Sequence, residues 1–246
     1  RKGWRGGVEV FDTDWLATQC APNVRWFEWS DMYYSAYEPH MTYPMTFPRQ
    51  KPSDYMNILH MLTFANGLDW QRVLLFYTDP DIFPKAVIEM AHQESISELS
   101  KREADCSIKI APFIDRHWRE ERLFLTFNHP GRRVVSCAAN QILDGLQIAN
   151  RVPQTGYFGF PKESALPLLA SFDAFLAIGD NRPLMDSFFL QEKAISAADY
   201  FGQWQATFAE IGVAKIREEL VQQQRASNTR RAVIDIAARH LGLPAA

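Results

Sequence analysis

LFLTFNHPGRRVVSCAANQILDGL, residues Leu123 to Leu146, holds the passage on which the fold turns. Leu123 to Phe127 is an apolar run of strand length, whereas Val135, Ala138, Ile142 and Leu146 recur at helical spacing. Between them lie Asn128, His129, Pro130, Gly131, Arg132 and Arg133. Asn favours the helix N-cap, and Pro suits the first turn, where its missing N–H costs nothing. The stretch therefore predicts a strand, a tight turn and a helix. Such junctions in open α/β proteins are where ligands sit, and unpaired N–H groups with two arginines would draw an anion.

Working outward, the helical half of the expectation dominates. A helix is predicted from Ser53 through Phe64, and Phe83 to Ala104 is helical in composition, with a break near His92 suggested by the Ser95/Glu98 spacing. Phe201, Trp204, Phe208 and Ile211 form a stripe continued by Ile216 and Leu220, which reads as core or as an oligomer surface. A last amphipathic helix runs from Arg230 to Leu241. Strands are fewer: residues 8–11, VLLFY before Asp79 in either state, and SIKIAPFI limited by Pro112. Residues 24–47 are rich in aromatics and broken by Pro39 and Pro44, a loop of the kind that walls a pocket. The expected fold is α/β, a helix-rich, three-layer-like domain around a small, mostly parallel sheet. It forms one globular domain over 1–246, with a donor-site half at 1–150 and a mainly helical half at 151–246.

Composition restricts the function classes. A net charge of −3 argues against a nucleic-acid partner. Positive charge is local: residues 101–133 carry eight Lys and Arg against five acids. Three cysteines, Cys20, Cys106 and Cys137, without CxxC spacing, suggest neither a disulfide framework nor zinc, and a reducing, cytoplasmic setting is expected. No apolar run reaches membrane-span length. The chain opens on Arg1 rather than Met, which leaves room for a leader ahead of it.

Leu99-Ser-Lys-Arg102-Glu103, then Ile108 to Ile114, then Leu123-Phe-Leu-Thr-Phe-Asn128-His129-Pro130 form a pattern that resembles the WcbI family of polysaccharide-biosynthesis proteins, associated with capsule assembly. MYYSAYEPHMTYP at 32–44 is similar to the family's aromatic-Gly-Tyr-His-Pro-Asp segment, with Ala36, Glu38 and His40 at the Gly, His and Asp places. The resemblance covers about 24–150. It implies an acetyltransferase-like enzyme that binds coenzyme A or acyl-coenzyme A and modifies a sugar or polysaccharide acceptor. The chain lacks the Gly-Asn-Cys-Gln turn with which the family opens; Cys20 lies in Ala-Thr-Gln-Cys-Ala-Pro instead.

The candidate site residues follow from chemistry. His129 can take a proton from an acceptor hydroxyl near neutral pH, although a turn residue that merely caps or packs fits its place equally. Asn128, Arg132, Arg133 and Arg102 are the candidate cofactor contacts. Arg132 and Arg133 project about 100° apart on a helix, so one of them is expected to face solvent. His40 with Glu38 could pair imidazole and carboxylate, and Glu103 with Arg102 could brace loops or touch ligand. Asp79-Pro-Asp81 could bind a cation for a nucleotide-donor glycosyl- or sulfo-transferase, but reads better as a helix start, and no metal site is expected. A non-catalytic binding module and a homo-oligomer complete the alternatives.

Overall fold

The computed structural model describes residues 18–49, 53–153, 167–177, 188–190 and 193–244. The expected strand at 8–11, the turn at 179–183 and most of the loop at 150–165 lie outside them.

Burial begins with one short helix. α1 (Ile58–Ala65) is buried along its whole length except for Phe64. An all-round apolar helix must be enclosed by others. It starts at Asn57, not at Ser53. The Asn57 Oδ1 accepts from the Leu59 and His60 amides at 2.9 and 3.2 Å, satisfying donors that the helix leaves open. Around α1 stand α7 (Ala197–Ile211), α8 (Val213–Ala226), α9 (Asn228–His240) and a 3-10 turn over Trp70–Leu74. The Phe201, Trp204 and Phe208 stripe of α7 is fully buried. Removing each phenylalanine from water is worth roughly 1.5–3 kcal/mol. The helical run at 194–220 divides at Gly212, whose φ of +89° ends α7 and opens α8.

VLLFY becomes the end of the 3-10 turn and α2 (Leu75–Thr78). α3 (Lys85–Arg102) runs unbroken past His92 and packs on α9, on α4 (Ala111–His117) and on α6 (Ala170–Leu176). The SIKIAPFI segment is not a strand. Glu103 carries its buried carboxylate to the Ile110 and Ala111 amides at 2.8 and 3.0 Å, and α4 starts there. α5 (Arg132–Gly145) packs on α4.

The mostly parallel sheet and its three layers do not form among the described residues. Pairing is confined to three antiparallel ribbons: β1 (Met41–Thr42) with β2 (Met56–Asn57), β3 (Phe124–Thr126) with β4 (His129–Pro130), and β5 (Phe188–Leu190) with β6 (Lys193–Ile195). Parallel neighbours need a crossover and longer pairing runs. Here the strands are two or three residues long, and helices carry the burial. The fold is helix-rich, with small sheets.

Candidate functional site

The strand, turn and helix of the opening stretch are present, with one change of cast. β3 turns directly into β4, Thr126 opposite His129, and α5 follows with Gly131 as its N-cap. Gly131 is pressed on β3: its amide donates to the Leu123 carbonyl at 2.7 Å, and a Cβ there would stand 2.9 Å from that oxygen. Asn128 is thus not the cap. Its side chain is occupied by hydroxyls. The Tyr55 hydroxyl donates to Asn128 Oδ1 at 2.8 Å, Thr126 Oγ1 donates to the same oxygen at 2.9 Å, and Asn128 Nδ2 donates to the Tyr43 hydroxyl at 2.8 Å.

This arrangement decides the state of His129. Its Nδ1 lies 2.5 Å from Thr126 Oγ1 and 3.4 Å from the Tyr55 hydroxyl. With the Thr126 and Tyr55 protons directed to Asn128 Oδ1, the hydrogen-bond network assigns the ring proton to Nδ1. Burial lowers the imidazole pKa below its usual 6.5, which favours the neutral ring. A half-buried, oriented, neutral imidazole is the form a general base needs.

The two arginines diverge as helical geometry requires. Arg132 Nε donates to the Pro153 carbonyl at 3.1 Å. Arg133 meets Glu121 at 2.5 Å and Glu120 at 3.6 Å, and its charge is largely balanced there. Cys137, further along α5, has its thiol pushed up by burial and accepts a contact from Gln141 at 3.5 Å, a packed side chain rather than a nucleophile.

The remaining candidates lie elsewhere. Glu38 is buried and paired with Arg122, whose Nε and Nη2 also donate to the Phe124 and Leu125 carbonyls at 2.9 and 3.1 Å. His40 is buried with Nε2 2.9 Å from the Tyr77 hydroxyl; burial, helped by the Arg122 charge, lowers its pKa to about 3. Glu38 braces the aromatic loop against β3 through Arg122, and His40 ties the same loop to α2 through Tyr77. Glu103 caps α4. Arg102 is exposed, donates to the Tyr33 carbonyl at 3.2 Å and lies over the Tyr33 ring at 5.4 Å. It borders a cavity of about 530 Å³ between the aromatic loop, α3 and the α8–α9 corner, whose walls include Tyr43 and Phe127 but neither Arg132 nor Arg133. The aromatic loop does wall a pocket. Asp79 uses its carboxylate on the Asp81 amide at 2.9 Å, a turn contact. No cluster of three or more His, Cys, Asp or Glu able to hold a metal occurs among the described residues, and none of their helices is long and apolar enough to cross a membrane.

Sequence reasoning missed Tyr55, Thr126 and Tyr43, the groups that hold Asn128 and His129. The Thr126–Asn128–His129 spacing was available as a signal; the partnership with Tyr55 and Tyr43, 73 and 85 positions away, was not.

Three comparisons bear on identity. A family model described as the polysaccharide biosynthesis enzyme WcbI matches residues 1–151. Among curated proteins none matches the sequence. A solved structure aligns with TM-score 0.72 at 18% identity, over 93% of this chain and 76% of the other. That protein is WcbI, described as a novel polysaccharide biosynthesis enzyme, in its native form without a disulfide bond between coenzyme A and one of its cysteines.

Proposed function

From the premise that the chain belongs to the WcbI family, we propose that it is a transferase of surface-polysaccharide biosynthesis that moves an acyl group from an acyl-coenzyme A to a sugar hydroxyl. The observation that carries the reading is the Thr126–Asn128–Tyr55 clamp, which presents His129 as an oriented neutral imidazole next to the start of α5. The coenzyme is a polyanion with a thioester arm, and the residues at this junction fit it. Arg132 and the open amides at the positive end of a 14-residue helix would hold phosphates. When bound, coenzyme A supplies the acyl group in activated form. His129 takes the acceptor hydroxyl proton at Nε2, and Thr126 Oγ1 stabilises the resulting imidazolium through Nδ1–H. The ring then returns that proton to the departing sulfur. Asn128 touches no cofactor in this scheme; both ends of its amide serve to hold Thr126 and the tyrosines.

Thermal unfolding in the presence of coenzyme A tests the reading. A ligand at a hundred times its Kd adds about 2.7 kcal/mol, and a chain of this size gains about 2–4 °C per kcal/mol, so an upward shift of about 5–10 °C is expected. No shift would sink the proposal. A shift seen only with a divalent cation and a nucleotide sugar would replace it with a glycosyltransferase.

A further inference from the structure

The cavity beside the aromatic loop is not absorbed by the donor site. Its charged lining is Glu94 and Glu98 against Arg102 and Arg230, so formal charges cancel. A phosphate-rich ligand would gain two guanidinium contacts there and face two carboxylates. The groups that remain unsatisfied point to another chemistry. Glu94 Oε2 accepts from the Ser227 hydroxyl and the Thr229 amide, both at 3.0 Å, which places this carboxylate at the N-terminus of α9. Against the raising effect of burial, the Thr229 side chain and the Arg230 charge also act on this carboxylate and hold its pKa below the usual range. Arg230 spends Nη1 on Thr42 and Gln223, leaving Nε and Nη2 as donors without a partner among the described residues. Among the described residues, the one hydrogen bond of the Arg102 side chain runs from Nη2 to the Tyr33 carbonyl. The apolar wall is made by the rings of Tyr33, Tyr43 and Phe127.

Carboxylate acceptors and guanidinium donors lining one cavity, with aromatic rings alongside, suit a ligand whose groups both donate and accept. Hydroxyls do both, and a phosphate only accepts. We infer that this cavity binds a neutral sugar unit of the acceptor glycan, with Glu94 and Arg230 as its polar anchors and the tyrosine and phenylalanine rings as its apolar floor. The volume lies within the range of small-molecule sites, about 300–1,000 Å³. The cavity and the His129 cluster share a wall, since Tyr43 lines the one and accepts from Asn128 in the other. The inference rests on the reading of the chain as a glycan-modifying transferase and names the class of its second substrate.

Saturation-transfer NMR of the full chain with methyl glucopyranoside, methyl galactopyranoside and methyl mannopyranoside, beside a glycerol control, is the test. Calorimetric titration with coenzyme A runs in parallel. At least one glycoside is expected to receive saturation at its ring protons, glycerol is not, and saturating coenzyme A should leave the signal in place. Ser35→Trp puts an indole into the cavity mouth from an exposed position and should abolish glycoside transfer while coenzyme A binding and the circular dichroism spectrum persist. Arg102→Ala, also at the surface, should weaken transfer. The inference falls if no glycoside is saturated, if glycerol matches the glycosides, if Ser35→Trp leaves transfer intact, or if coenzyme A displaces the sugar. Loss of coenzyme A binding with sugar binding intact would defeat the proposed reaction and not this site.

Discussion

Replacing Glu38 by Gln keeps the side-chain shape and removes its charge, taking a buried carboxylate away from the buried Arg122 guanidinium. The side chains are 1% and 9% exposed, so water cannot take the place of the carboxylate. Removing one partner of a buried pair costs about 3–5 kcal/mol, and two retained carbonyl contacts argue for the lower end, about 3 kcal/mol. At about 2–4 °C per kcal/mol this is a fall in Tm of about 6–12 °C. Urea midpoints and calorimetry of Glu38→Gln, Arg122→Met and the double variant measure it. The double variant should be more stable than the sum of the single changes predicts, by more than about 1 kcal/mol, because the second substitution removes the buried guanidinium charge. A single-variant loss below about 1 kcal/mol, or strict additivity, would refute the view that this pair pins the aromatic loop to β3.

His129→Gln should lower kcat by about 10²–10⁴-fold with Tm unchanged, as expected for loss of a general base; full activity would make His129 a turn residue. Because burial lowers the His129 pKa, the acid limb of the pH–rate profile should fall below 6.5, and a limb above that value would contradict the assigned neutral state. His60, buried and held to a pKa of about 4, stays neutral in the fold while the unfolded chain takes up a proton near 6.5. Stability should therefore drop as pH falls between those values, by about 3 kcal/mol at pH 4 from this residue, and His60→Leu should flatten the slope of urea midpoint against pH. An unchanged slope would assign the acid sensitivity to other groups. Gly131→Ala forces a methyl to within 2.9 Å of the Leu123 carbonyl and should cost about 1–3 kcal/mol in a urea titration; a neutral result would show that β3 and α5 can separate freely.

What the sequence made legible was periodicity, and what it hid was long-range partnership. β3 and α5 were readable because apolar spacing changes from strand to helix within one stretch. The stripe of Phe201, Trp204 and Phe208 was readable as core for the same reason. Asn128 was assigned to a cap on local preference. In the fold the tyrosines at 43 and 55 claim its amide, and the close contact of Gly131 with Leu123 gives glycine the cap position. SIKIAPFI alternates like a strand, but the Glu103 carboxylate satisfies two amides and makes α4 the better solution. The Ser95/Glu98 spacing looked like a helix start, yet Ser95 hydrogen-bonds Ser35 at 3.0 Å beside the cavity, within an unbroken α3. Glu94 and Arg230 carried no local signal at all, since each acquires its meaning from an element more than a hundred residues away.

The enclosure of α1 has a consequence for synthesis. Its covering helices α8 and α9 are made well after it, and contacts such as Thr42 with Gln223 join positions 181 residues apart. A nascent chain that has emerged only as far as residue 151, the stretch the family model spans, holds an apolar helix without the helices α7, α8 and α9 that cover it. Until those helices leave the ribosome that helix must be shielded by a chaperone or by transient collapse, and the slowest closure in folding is set by segments 181 residues apart meeting.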